Sequence, residues 1–192
     1  MLTYRLISTL NPSEDSEWKQ LVNSVLGEAV HPKRVKGFCL SREALKQCLS
    51  ERGIQIAIPD LILETFAALK DQNSLTISLS HTPEWGAAII GDAKDFISVG
   101  IDIEPLERIV KAPILERISH PDDLKLTPLK IWTLKEASFK AIMNTGKFEH
   151  SVEFSSIQIA EGRWLHTTSQ LSGEWRLEEQ NGMCVALAWL KA

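Results

Sequence analysis

The 192-residue chain is short of the features that would place it outside the ordinary globular proteins. It has three cysteines, Cys39, Cys48 and Cys184, an odd number with no CxxC pair and no Cys/His zinc spacing. That excludes a disulfide framework and a structural zinc module, and the three read as reduced, buried thiols. No apolar run approaches the roughly 20 residues needed to cross a bilayer. The opening Met1-Leu2-Thr3-Tyr4-Arg5 lacks the basic and apolar regions of a secretory signal, so a cytoplasmic location is expected. There is no low-complexity linker and no block of like charge. Formal net charge is −4, so the chain has no global basic footprint for nucleic acid. What remains, 44% apolar and 24% charged residues, is the composition of a soluble domain, or of two small ones sharing an interface.

Coarse periodicity divides the chain. Tyr4–Leu10 alternates as a first strand. Ser13–Leu26 has helical spacing, with Trp18, Leu21, Val22 and Val25 on one side. The basic stretch His31-Pro32-Lys33-Arg34-Val35-Lys36 leads into a helix over Phe38–Leu49, and another helix is expected over Pro59–Lys70, followed by a turn at Asp71-Gln72-Asn73. The second part is richer in strands: Leu75–Leu79, Gly86–Ile90, Ile97–Glu104, Val152–Ile159, Glu174–Leu177 and Cys184–Leu190. Pro105, with no N–H to donate, ends the third of these. Helices are expected over 114–124 and 128–144. Arg42-Glu43-Ala44 is echoed by Lys135-Glu136-Ala137, 93 residues later, an offset near half the chain that agrees with a duplicated βαβ-type unit.

Two clusters carry chemistry. In Val99-Gly100-Ile101-Asp102-Ile103-Glu104, a strand points both acids to one face, where they repel each other unless a cation or basic partner lies between them. In Trp132-Thr133-Leu134-Lys135-Glu136-Ala137-Ser138-Phe139-Lys140, Glu136 and Lys140 are one helical turn apart. On a helical wheel Thr133, Glu136, Lys140 and Asn144 form a polar stripe. Ile131, Leu134, Ala137, Ala141 and Ile142 lie on one side of it, and Trp132, Phe139 and Met143 on the other. Taken alone, the Glu136–Lys140 pair is an ordinary helical ion pair worth about 0.3–0.5 kcal/mol, and the strand acids could face solvent. Taken together, Asp102, Glu104 and Glu136 supply the oxygen ligands that Mg2+ prefers, with a pyrophosphate completing the shell and Lys140 neutralising it.

This bipartite pattern strongly resembles the 4′-phosphopantetheinyl transferase superfamily, whose members carry a Gly-Ile/Val-Asp segment and, some forty residues on, an aromatic, Lys-Glu-Ala/Ser and a further lysine. Here Asp102 and Glu136 are 34 positions apart, slightly short of that. Ser80-His81 matches the family's Ser-His segment, and Pro32-Lys33-Arg34 with Arg42 matches the basic segment of its longer, monomeric, surfactin-synthetase-type members. The resemblance implies an α/β (α+β) fold of two similar α/β halves, residues 1–92 and 93–192, related by a pseudo-twofold with the active site in the cleft between them. It implies an enzyme that transfers phosphopantetheine from coenzyme A to a serine of an apo acyl or peptidyl carrier protein. Adenosine 3′,5′-bisphosphate is released, Mg2+ is required, and the enzyme acts as a monomer with no membrane or nucleic-acid partner.

In that scheme Asp102, Glu104 and Glu136 hold the metal. Glu136, directly or through a metal-bound water, is the base, with Glu104 second. Lys140 offsets phosphate charge, and Lys33, Arg34, Arg42, Ser80 and His81 grip the phosphates. Phe139, Met143, Lys147 and Phe148 are candidates for carrier docking. One stretch departs from the family: from Arg52 onward there is no Gly-Lys-Pro segment to hold the nucleotide, and Arg52 or Lys70 stand as substitutes. Lys135 fits the motif but points away from the Glu136–Lys140 stripe. The competing readings are a non-catalytic coenzyme A or carrier-binding protein and a generic Mg2+-dependent phosphohydrolase.

Overall fold

The computed structural model describes residues 1–26, 31–62, 69, 74–148 and 152–192. They fall into two compact units, Met1–Ala93 and Lys94–Ala192. All strand pairing in both units is antiparallel.

The first unit is a three-stranded sheet with helices packed on it. Its strands are β1 (Leu2–Ile7), β2 (Leu75–His81) and β3 (Gly86–Asp92), in the order β1-β3-β2. Because both outer strands run antiparallel to β3, β1 and β2 are parallel to each other, joined through the helices with β3 inserted between them. This is a split β-α-β arrangement, a form of the βαβ-type unit expected from the sequence echo. Helix α1 (Asp15–Val25) buries Trp18, Leu21 and Val22. Helix α2 (Pro32–Ser50) starts earlier than apolar periodicity indicates, because Pro32 occupies its first turn and the His31 ring accepts the Lys33 N–H at 3.3 Å. The basic residues therefore sit on α2 itself instead of preceding it. Phe38, Ala44, Leu45, Cys48 and Leu49 of α2 pack with Leu75, Ile77, Ala88 and Ile90 of the sheet. The hairpin between β2 and β3 is closed by Thr82, whose N–H donates to the Trp85 carbonyl at 2.8 Å and whose Oγ1 accepts from Trp85 N at 3.1 Å. The expected helix over Pro59–Lys70 and the turn after it lie largely outside the described residues. Within them, Ile58–Asp60 is a 3₁₀ turn.

The second unit is a five-stranded sheet in the order β4-β8-β7-β6-β5. The strands are β4 (Phe96–Pro105), β5 (Ile157–Ala160), β6 (Arg163–His166), β7 (Leu171–Gln180) and β8 (Met183–Lys191). Again the first and second strands in sequence, β4 and β5, run parallel at opposite edges, connected through α3 (Ala112–Ile118) and α4 (Pro128–Met143). Thr127 caps α4 and Pro128 opens it. The apolar stripe read from the wheel is the buried one: Ile131, Leu134, Ala137, Ala141 and Ile142 join Ile157, Ile159, Trp164, Ala186 and Ala188 in one core. The turn from β7 to β8 is Asn181-Gly182, both at positive φ (54° and 76°), the conformation an Asn-Gly hairpin favours. Pro105 is the last paired residue of β4, opposite Met183.

Two expectations fail here. The helix expected over 114–124 is α3, which stops at Ile118 because Ser119 is extended. The strand expected over Val152–Ile159 is a 3₁₀ turn at Phe154–Ser156, followed by the short β5. The Lys135 ammonium donates to the Phe154 and Ile157 carbonyls at 3.3 and 2.6 Å. The Phe154 carbonyl is thus satisfied outside any ladder, and pairing begins only at Ile157, opposite His166. β6, only four residues long, gave no alternation long enough to register.

Candidate functional site

β4 and α4 lie side by side, and one glycine lets them do so. A Cβ on Gly100 would stand 2.0 Å from the Ala137 carbonyl oxygen and 2.7 Å from Ala141 N, so only hydrogen permits this approach. With Gly100 toward α4, strand alternation turns Asp102 and Glu104 to the same side. The helix runs antiparallel to the strand, and its polar residues meet the strand in order. Asn144 Nδ2 donates to the Val99 carbonyl at 2.9 Å. Lys140 Nζ donates to the Ile101 carbonyl at 3.0 Å and to Asp102 Oδ1 at 2.8 Å. Trp132 Nε1 donates to Glu104 Oε1 at 2.8 Å. Four helical residues rise about 6 Å and two strand residues about 6.7 Å, and this near match lets successive turns of α4 address alternate residues of β4.

The predicted acids therefore share one neighbourhood. Asp102 and Glu104 are both buried, and Glu136 is half-buried between the turns that carry Trp132 and Lys140. Burial pushes the Glu136 carboxyl up to about 6. The Asp102 charge adds to this, Lys140 opposes it, Glu104 raises it further and Arg108 again opposes. Two cations answer the strand acids: Lys140 pairs with Asp102, and Arg108 with Glu104. Among the described residues, no group of three His, Cys, Asp or Glu side chains has the arrangement of a ready metal site. The donor chemistry nonetheless fits a hard divalent ion: three carboxylates share the junction, two of them buried, and the charges of both strand acids add to burial in raising the pKa of Glu136.

Lys135 has a different role from its neighbours in the motif. It is fully buried, pairs with Asp123 at 2.8 Å and binds the two carbonyls named above. Burial lowers its pKa against the opposing pull of Asp123. Asp123 also accepts from Ile159 N and His120 N, both at 2.8 Å. The pair thus fastens α4 to β5 and the loop before it. Phe139 stacks on Phe154 at 5.1 Å, and Phe148 sets its edge on His166 at 5.3 Å. Both expected docking aromatics thus pack on one side and, like Met143, stay half-buried, while Lys147 is exposed.

In the first unit, Gly37 of α2 lies against the end of β2: a Cβ there would meet the Thr82 carbonyl at 2.6 Å and His81 Nδ1 at 2.8 Å. Lys33 and Arg34, four and three residues before Gly37, share its face of α2. The structure thus brings Lys33, Arg34 and His81 to one end of the unit. Lys36 bonds Glu84 across the same junction. Ser80 is buried next to the exposed His81.

Arg42 is two turns further along α2. Its guanidinium lies 3.4 Å over the Phe38 ring, Nε donates to the Leu61 carbonyl at 3.1 Å, and burial lowers its pKa to about 10. Arg52, one of the two substitutes offered for the missing nucleotide segment, bonds Asp92 and the Met1 carbonyl, and the other, Lys70, lies outside the described residues.

Sequence reasoning missed three contributors to the site. Trp132 serves through its indole N–H, Asp123 is the anchor of Lys135, and Arg108 is the partner of Glu104. Arg108 is four residues after Glu104, but a strand and a turn carry it, so helical periodicity gave no signal.

An acidic pair on a buried strand, faced by a glutamate and a lysine one helical turn apart, is chemistry of the phosphoryl-transfer type. Residues 98–188, from within β4 to within β8, match the family model of the 4′-phosphopantetheinyl transferase superfamily. The second unit is thus similar to that superfamily, a likeness that supports a transferase. No curated protein matches the chain significantly, and no helix among the described residues is long and apolar enough to cross a membrane.

Proposed function

We propose that the chain is a Mg2+-dependent phosphopantetheinyl transferase of the monomeric, surfactin-synthetase type. It moves the 4′-phosphopantetheine arm of coenzyme A to a serine of an apo acyl or peptidyl carrier protein. The observation that carries this reading is the meeting of Asp102, Glu104, Glu136 and Lys140 at the β4–α4 junction, inside the matched residues. Asp102, Glu104 and Glu136 hold the ion. When bound, it neutralises the diphosphate and stabilises charge on the transferring phosphoryl group.

Glu136, directly or through a metal-bound water, is the base that accepts the serine proton, with Glu104 second. The serine oxygen bonds to the β-phosphorus of coenzyme A. The P–O bond to the 5′-phosphate breaks, and adenosine 3′,5′-bisphosphate leaves. Lys140 offsets charge on the phosphates during attack and departure. Lys33, Arg34, Arg42, Ser80 and His81 hold the nucleotide phosphates, the arginines through a bidentate fork. The two halves are taken to be related by a pseudo-twofold with the site in their cleft, and the enzyme to act in the cytoplasm.

The test is transfer from fluorescently labelled coenzyme A to a panel of apo carrier proteins, read by label and mass shift. Asp102→Ala and Glu136→Ala are expected to abolish Mg2+-dependent labelling. Full activity in either variant overturns the metal-site assignment. Release of adenosine 3′,5′-bisphosphate from coenzyme A with no carrier present would point to a phosphohydrolase instead.

A further inference from the structure

Glu104 is an acid with a cation already on it. One oxygen, Oε1, accepts from Trp132 Nε1 at 2.8 Å and from the Arg108 guanidinium. The same guanidinium lies over the Trp132 ring, 4.9 Å from its centroid, so Arg108, Glu104 and Trp132 form a closed triangle. The backbone builds this contact. Leu106 N donates to the Gly182 carbonyl at 2.9 Å, and Arg108 N to the Pro105 carbonyl at 2.9 Å, which folds the chain back as β4 ends.

The two donors differ in freedom. Trp132 is fixed in α4 and stacks parallel to Phe154 at 6.2 Å. The Arg108 side chain is 38% exposed against 10% for Glu104, and it sits on a surface turn. A divalent ion on either oxygen of Glu104 meets the guanidinium charge at contact range. The two cations compete, and Arg108 is the one able to move.

We propose that Arg108 is the resident cation of this acid cluster and a substrate-binding residue held in reserve. It neutralises Glu104 until a divalent ion takes that carboxylate. Then, still seated on the Trp132 ring, it turns its fork to the diphosphate of the incoming substrate. This rests on the metal-site reading above and adds a consequence to it. The ion alone binds weakly because it must displace Arg108, and it binds more tightly with a diphosphate present, because the displaced arginine gains a partner. By linkage, the diphosphate gains the same factor from the ion.

The experiment is calorimetric titration of Mn2+ into the full chain, alone and with coenzyme A, for wild type, Arg108→Gln, Arg108→Lys and Asp102→Asn. Arg108→Gln is expected to bind Mn2+ alone about two- to fivefold more tightly, the size of one partly exposed charge pair. It should also lose the part of the enhancement that comes from Arg108, keeping the part that the diphosphate oxygens supply as ligands to the ion. Arg108→Lys, which keeps charge without the fork, is expected to bind Mn2+ alone nearly as weakly as wild type while losing part of the enhancement. Its thermal midpoint and that of the Gln variant verify folding. If Arg108→Gln binds Mn2+ no more tightly than wild type while Asp102→Asn loses it, the role of Arg108 is overturned and the metal site stands. If Asp102→Asn binds Mn2+ like wild type, the metal-site reading itself falls, and this proposal with it.

Discussion

The two units solve the same packing problem with similar parts, yet the strand beneath the helix is apolar in the first and acidic in the second. In each, a helix lies on an antiparallel sheet at a glycine that cannot carry a Cβ: Gly86 of β3 under α2 and Gly100 of β4 under α4. The next residues on that face of the strand are Ala88 and Ile90 in the first unit, and Asp102 and Glu104 in the second. Each helix carries a basic residue, a glutamate and an alanine in succession. Glu43 of α2 accepts from Gln47 at 2.8 Å and stands 3.7 Å from Lys46, which also pairs with Glu14 at 2.7 Å. Its partners are local, and it braces the unit. Glu136 of α4 faces two further acids and has its pKa raised. The same triplet thus braces its unit over an apolar strand and joins an acid cluster over an acidic one, and the strand beneath decides which.

The largest effect that tests this contrast should come from Lys135→Met, which strands Asp123 as a buried charge. We expect a loss of about 3–5 kcal/mol in urea unfolding. Lys46→Met should cost about 1 kcal/mol, since its pairs are partly open to solvent. If the two losses are equal, the second unit does not depend on its buried pair as described.

Next come the glycines. Gly86→Ala and Gly100→Ala should each cost about 3 kcal/mol, because the new methyl meets backbone atoms that cannot swing aside. Tolerance of one but not the other would show that the two helix–sheet crossings are not equivalent.

The smallest effect is the most discriminating, because its sign differs between the units. Glu43→Gln should destabilise by about 0.5–1 kcal/mol by weakening its bond from Gln47 and its pairing with Lys46. Glu136→Gln should stabilise the metal-free protein by about 1 kcal/mol at pH 7.5, a figure discounted for partial exposure. A carboxyl whose pKa rises on folding favours the native state at low pH. Relative to that, the protein loses stability as pH climbs from the ordinary carboxylate range through about 6. The advantage of Glu136→Gln over wild type should therefore be absent below about pH 4.5 and complete above about pH 6.5. Saturating Mg2+ should reverse it by raising only the wild-type midpoint. Thermal melts of both variants across this pH range measure the effect.

Much of this was legible in the sequence where local physics is decisive. The wheel of α4 separated Ile131, Leu134, Ala137, Ala141 and Ile142 from Glu136 and Lys140 because a regular helix fixes which residues share a face. The period-2 rule put Asp102 and Glu104 on one side of β4 for the same reason. Positions whose partners come from elsewhere in the chain were not legible. The start of α2 depends on a His31 cap that apolar periodicity does not register. The strand expected from Val152 begins only at Ile157, and the Phe154 carbonyl before it bonds a lysine some twenty residues upstream. Phe139, Phe148 and Arg52 look available in one dimension and have partners in three.

By itself, then, the sequence determined the elements that carry the acids, the face each acid takes and the resemblance they carry to a known family. The glycine at the crossing and the acids at alternate positions are properties of a few adjacent residues. Only the tertiary structure decided which charges compensate which. Pairing Lys140 with Asp102, Arg108 with Glu104 and Lys135 with Asp123 requires a strand, a turn and a helix to be brought within 3–4 Å of one another. Distance along the chain holds no information about such contacts. The Arg108–Glu104–Trp132 triangle, four and twenty-eight residues apart by sequence, exists because a turn and a helix converge on the same end of β4.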